Sequence, residues 1–466
     1  MLPPLIKHQR RPAKPRSGER GFTMALVTVA LVAIIAMAAL SIDIGTLYQA
    51  KDEAQRAADA AALTAARMIS ISGITGDPAN ISNSWQQVCG GTTSPATLAA
   101  VNVAQQNLIS GVAPTSGNVT VKYGGGSAGA TTTNCTGAGT SFGVNPVVAV
   151  TVTSGKLPVF FARVFRLFPN GNFSNTTTSA TATAEVFNSS NSGSVAASMI
   201  PVNPRCVKPL IIPNTDPTTG NPFVSTATGA INNSGLYPGG VIGEPFVMAA
   251  DCHRGRPDCK GGNMIANPPT STAGTIHYLP GLVQGTPVAV SSCANGDTFQ
   301  EAIAGCDQST TYACGTALGA QVDLTENPIN PSSANGDTGT AVQCLTNAAA
   351  QGMGQGQDQI DTGTFPFQIQ AGSNNSLVKD GLVSNNGIVT ASSSIVTLPI
   401  YDGTRLAAGN QPNVTIVGFL QVFVQDLDAN GHPHVTVLNV AGCSNNATNS
   451  PVSGTSPVPI RLITPP

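Results

Sequence analysis

Two short stretches hold side chains able to do chemistry. "DCHRGRPDCK" (251–260) brings Cys252, His253 and Cys259 close together, and "GHPH" (431–434) adds His432 and His434. A zinc centre needs about four nitrogen or sulfur ligands, and Cys-x6-Cys is not a finger spacing, so a metal would have to collect ligands from distant segments. A disulfide around Arg254 and Arg256 is the simpler reading of Cys252 and Cys259, and the two histidines flanking Pro433 sit on a turn open to solvent. Acid–base catalysis needs paired carboxylates or a histidine oriented by one. The sequence shows neither a Walker loop nor a His-Glu-x-x-His helix, local arrangements that position such groups. "DANGHPH" and "SANGDTGT" (333–340) lack the twelve-residue ligand pattern of a calcium hand. The residues thus point to no enzyme, no metal, no cofactor and no small-molecule substrate.

Composition places the chain outside the usual cytosolic enzymes. Of 466 residues only 9 % are charged, with 50 Gly and 34 Pro, a profile of β-rich exported proteins. Six basic residues (Lys7, Arg10, Arg11, Lys14, Arg16, Arg20) precede an apolar run, whereas residues 71–466 hold 12 basic and 18 acidic residues. A mildly acidic body lacks the basic face that nucleic acid demands. All ten cysteines lie between Cys89 and Cys443, beyond the apolar run. That suits an oxidising compartment, with Cys89 and Cys135 one candidate pair and eight cysteines left for the second domain.

The apolar run itself has 22 uncharged residues, Gly21 to Ile42, enough at 1.5 Å per residue for roughly one crossing of a 30 Å hydrocarbon core. The basic residues before it put the N-terminus in the cytoplasm and the bulk outside. A cleaved signal would carry an apolar core of about 7 to 15 residues, and here the helical pattern continues through "DIGTLYQAKDEAQRAADAAALTAARM" (43–68) without proline. An uncleaved anchor is the favoured reading. In the outer half Asp52 and Arg56, and Gln55 and Asp59, have i,i+4 spacing. The alanine faces suit either close packing beside other helices or a plain stem with good helix formers.

The stretch Arg20 to Ala66 resembles the TadE/TadG-like N-terminal segment of Flp pilus-assembly proteins, from the tight-adherence (Tad) machinery. The residues that carry the likeness are Arg20-Gly21, the apolar span, Asp43, Tyr48, Gln55, Asp59-Ala60-Ala61 and Ala65-Ala66. The resemblance implies a membrane protein whose partners are other Tad/Flp pilus-assembly proteins or pilins, met through the N-terminal helix. "RGFT" also resembles the site where prepilin peptidase cuts, here between Gly21 and Phe22. Pilins carry Glu five positions into the mature helix and this chain has Leu26, which argues against a major pilin. The Asp-x-Ser-x-Ser motif of the von Willebrand factor A domain found in some TadG-like proteins is absent.

The chain then reads as α+β: a basic cytoplasmic tail (1–20), a transmembrane helix (21–42), its periplasmic extension (43–70), a small α+β domain (71–190), a linker (191–198) and a β-rich, disulfide-containing domain (199–466). Strands are expected at "NVTVKYG", "NPVVAVTVTS" and "TTTSATATAEV". "LPVFFARVFRLF" (157–168) is expected to form an aromatic helix buried on its own sheet. Further strands are "KPLIIP", "GEPFVMAA", "SSIVTLPIYD" and "PVPIRLIT", together with a hairpin over 414–440 turning at Asn430-Gly431. The expected function is a membrane-anchored, non-catalytic component of Tad/Flp pilus assembly, acting as periplasmic scaffold or minor pilin-like subunit. The alternative is a secreted or surface-displayed adhesin with a cleaved N-terminus.

Overall fold

A computed structural model describes residues 19–73, 84–126, 129–138, 142, 145–155, 157, 177–190, 202–250, 273–288, 297–323, 336–346, 356–403, 413–443 and 452–463. The aromatic segment after Leu157, the linker at 191–198 and the Cys252–Cys259 loop lie outside the described residues.

Helix α1 (Glu19–Ile71) is one unbroken element of 53 residues, about 80 Å long. No proline interrupts it, and alanine, the best helix former, fills its outer half. It ends at Gly73, whose φ of +73° favours glycine. A Cβ there would fall 2.5 Å from Ile242, so the exit also needs a residue without a side chain. Helices α2 (Ser84–Cys89) and α3 (Pro95–Gln106) follow, the latter started by proline at its first turn. Cys89 is bonded to Cys135, closing a 46-residue separation.

Strands β1 (Val119–Gly125), β2 (Ala130–Thr132), β3 (Pro146–Thr153) and β4 (Ser179–Val186) come next. Register places Val121, Val150 and Ala182 in one row, and Tyr123, Val148 and Ala184 in another. These residues share one apolar cluster with Ala50, Ala54, Ala57, Ala58, Ala61, Ala62, Ala65 and Ala66 of α1. Small side chains on both sides let helix and sheet approach closely. The alanine rod is therefore neither a bare stem nor a face held open for other helices: its own sheet covers it.

The larger, C-terminal part contains β5 (Val202–Pro204), β6 (Leu210–Pro213), β7 (Pro245–Ala250), β8 (Thr275–Pro280), α4 (Thr298–Ala304), β9 (Gly315–Gln321) and α5 (Asp337–Leu345). A small antiparallel sheet of β10 (Gln359–Asp361), β11 (Gln368–Gln370) and β12 (Ile388–Val389) carries α6 (Ser376–Lys379). Then come β13 (Ile395–Tyr401), β14 (Asn413–Leu427), β15 (Pro433–Gly442), β16 (Val452–Gly454) and β17 (Ile460–Ile463). Pairing runs β13-β6-β8-β7-β15-β14, and β14 pairs back onto β13, so six strands close into a ring. Closure leaves no open edge on those strands. The expected hairpin is β14–β15, with Gly431 at φ +81° in its turn. Cys206–Cys306 and Cys314–Cys443 are bonded in this part.

One expected strand pairs elsewhere than the rest of its region. β17, from "PVPIRLIT", does not join the ring but pairs antiparallel with β4, so the first sheet reads β17-β4-β3-β1-β2. The join between the two sheets is polar as well as apolar. Asn439 Nδ2 donates to Ser70 O at 2.8 Å, Asn188 Nδ2 to Val440 O at 2.7 Å and Ser189 Oγ to Gly442 O at 2.7 Å. A single apolar cluster continues across it from Ala50 to Val440.

What recruits β17 is a charge pair. Arg461 Nε donates to Glu185 Oε1 at 2.5 Å, the Glu185 side chain is fully buried, and the guanidinium lies 5.2 Å from the Phe187 ring centre. Removing one partner of a buried pair strands the other. Arg461→Met is expected to cost about 3 kcal/mol, and Arg461→Met with Glu185→Met to recover most of it. Denaturant unfolding of the three proteins measures this, and an unchanged midpoint for Arg461→Met would contradict the pairing.

Candidate functional site: a helix in two environments

Helix α1 changes surroundings along its length. From Phe22 to Ala38 every residue is exposed on all faces. Cover begins at Ala39 and Asp43, and from Ala50 to Ile69 one continuous face is buried. Asp43 is only 3 % exposed although it borders the apolar run, whereas Tyr48 is 73 % exposed. Phe22 and Tyr48 stand 26 residues apart, or about 39 Å, close to the roughly 40–45 Å of a bilayer with its headgroups. A tyrosine at that depth has its ring in the interface and its hydroxyl in water. The helix is long and apolar enough to cross a membrane once.

Beyond Tyr48 the polar residues hold the helix rather than react. Arg56 Nη2 donates to Asp52 Oδ2 at 2.9 Å on the exposed side. Gln55 Nε2 donates to Asp59 Oδ1 at 2.8 Å, and at 3.4 Å to Thr181 O of β4. Of the motif residues, Asp43, Gln55 and Asp59 therefore face the body, while Tyr48 faces away from it. Arg20 and Gly21 belong to the first turn of α1. Nothing in the sequence pattern distinguishes Asp43 as covered, because its cover is tertiary.

In the C-terminal part each turn histidine is tied to an aspartate. His432 Nδ1 lies 3.1 Å from Asp428 Oδ2, and His434 Nδ1 2.6 Å from Asp426 Oδ1. They are less solvated than their turn position suggests. Among the described residues no group of three His, Cys, Asp or Glu stands close enough to hold a metal ion. Lys208 and Glu244 are among the buried ionisable groups that the sequence reading did not pick out. Lys208 donates through Nζ to the carbonyls of Ala302 and Gly305 at the end of α4, and burial pulls its pKa down to about 7. Glu244 is 1 % exposed with Oε1 unpartnered, and burial, aided by Asp216, pushes its pKa up to about 7 against hydrogen bonds from Thr218.

Two measurements follow. Leu31→Arg places a charge mid-span and is expected to cost roughly 2.5–3.5 kcal/mol of insertion, so the protein shifts from the carbonate-resistant pellet toward the soluble fraction; full retention would contradict a crossing at Phe22–Ile42. For Glu244 the folded state holds the proton more tightly than the unfolded chain. Its contribution is therefore complete below about pH 4.5 and is lost as pH rises to about 7. Glu244→Gln is expected to flatten that part of the melting-temperature profile, and an unchanged profile would count against it.

Compared with known proteins, residues 21–68 match the Tad family model, described as TadE/G-like Flp pilus assembly. No curated protein and no solved structure gives a significant match. The matched segment coincides with α1 from its first turn to its last, taking in both the bare half and the covered half. Over residues 21–68, then, the N-terminal helix of this chain is similar to the TadE/G-like segment of Flp pilus-assembly proteins.

Proposed function

We propose that the protein is a single-pass component of Tad/Flp pilus assembly, with its basic tail in the cytoplasm and its bulk in the periplasm, working as a non-catalytic scaffold. The observation that carries this reading is the division of α1. A family-matched helix offers a bare apolar half for the bilayer and gives its other half to the core of a large folded body. Such a device holds a body at a fixed height above a membrane.

The scaffold reading is favoured over a minor pilin-like subunit by two features. Leu26 stands where pilins carry Glu, removing the carboxylate that sets register within a shaft. The alanine face is already covered by α3, β3 and β4, so packing with other Tad or pilin helices is left to the stretch before Ile44. The His–Asp pairs at the β14–β15 turn act as local clips, and partners meet the body through its surface rather than through a reactive pocket.

The test is made in cells that assemble the pilus. Deletion of the gene is expected to abolish piliation, and in the parent strain the full-length chain is expected in the inner-membrane fraction and not in sheared pili. Sheared pili containing the chain with Phe22 as its first residue would replace the scaffold by a subunit. Normal piliation of the deletion strain would remove the assembly role.

A further inference from the structure

The turn between α3 and β1 carries an unexplained apolar tip. Ile109 and Val112 exchange backbone hydrogen bonds of 2.9 and 3.0 Å across Ser110 and Gly111, both at positive φ. That tight reversal presents Leu108 at 55 % and Val112 at 66 % exposure, while Ile109 between them is buried. Two large aliphatic side chains held outward by a tight turn forgo the burial that apolar surface favours. Something outside the chain should cover them.

Position along α1 identifies what. Thr64 of α1 and Ala99, Asn102 and Val103 of α3 line one cavity, so the middle of α3 sits beside residue 64. Further along, the Ser110 amide donates to Glu53 Oε2 at 2.6 Å. Helix α3 therefore runs antiparallel to α1 and delivers its following turn toward the bare end. The Glu53 side chain leans back along the helix, as helical side chains do, since its Oε1 accepts from Gln49 Nε2 at 3.0 Å. The tip is thus clamped at the level of residues 49–50, the height along the helix at which Tyr48 and Lys51 are exposed. A tyrosine, a lysine and two aliphatic residues at one height form the composition of a membrane–water interface.

We propose that the Leu108–Val112 turn is a second membrane contact, seated in the headgroup region of the leaflet from which the body emerges. It rests on the reading of Phe22–Ile44 as a lipid-embedded span. Its occupant is lipid rather than protein because Glu53 holds the tip at the height where the bare apolar surface of α1 ends and its exposed tyrosine stands. Two contacts, helix and tip, fix the tilt and rotation of the body on the bilayer, where one helix alone would leave it free to swing.

The experiment uses the full chain in nanodiscs of phosphatidylethanolamine and phosphatidylglycerol, without bromine or with lipids brominated at positions spread along the acyl chain from just below the headgroup to its end. Single tryptophans are placed by Leu31→Trp, Val112→Trp and Leu382→Trp in a Trp85→Phe background. Leu382 lines the cavity beside Thr64, about 24 Å further from the membrane than Tyr48. If Trp85→Phe lowers the melting temperature, Trp85 is kept and quenching is read as the loss added to the parent signal. Bromination is expected to reduce emission at positions 31 and 112 and leave 382 unchanged. Quenching at 31 but not at 112 would overturn the tip and spare the anchor, and no quenching at 31 would overturn the anchor and the tip with it. Equal quenching at 112 and 382 would mark general adsorption and also overturn the tip.

Discussion

A continuous helix cannot change its environment unless what covers it changes, and α1 has protein cover along only half its length. Thirteen large apolar side chains between Phe22 and Ile44 are exposed. At roughly 1.5–3 kcal/mol each for burial, that surface amounts to tens of kcal/mol left unsatisfied in water, far beyond the patches soluble proteins carry. The other half has the opposite character, because eight alanines from Ala50 to Ala66 are buried in one cluster with α3, β3 and β4. Everything else in the molecule is arranged around that division.

Alanine decides how the covered half is held. Its methyl groups leave no room for a larger side chain, so β4 meets the helix with alanines of its own at 180, 182 and 184. Rigidity then passes to the C-terminal part through the last turn of α1. Ser70 accepts from Asn439, Gly73 fits under Ile242, and the chain's last strand returns to close the first sheet beside Glu185. A closed six-stranded ring, in a part cross-linked by Cys206–Cys306 and Cys314–Cys443 among others, is thereby bolted to the helix rather than hung from it.

Local patterns were legible in the sequence and long-range ones were not. The uncharged run, the proline-free continuation and the ordered polar motif residues revealed α1 and its likeness to the TadE/G-like segment, and valine alternation revealed β3. The Asn430-Gly431 pair revealed the hairpin, because turn chemistry is a local constraint. The fate of the alanine face was open, since alanine serves equally in a bare helix and in a tight interface. The destination of "PVPIRLIT" was hidden because strand pairing across 270 residues leaves no local mark; its determinant, Glu185 meeting Arg461, exists only once the chain is folded. Asp43, Glu244 and Lys208 were unreadable as buried groups for the same reason.

The most direct test is a spin-label scan of α1 from Met24 to Ala66 in a bilayer, comparing collision with oxygen, which partitions into lipid, and with a water-soluble nickel complex. The account predicts oxygen access on all faces up to Ala38, access confined to one face between Ala39 and Tyr48, and protection from both reagents on the alanine face beyond Ala50. Nickel access throughout Phe22–Ile44, or lipid access to the alanine face, would contradict it.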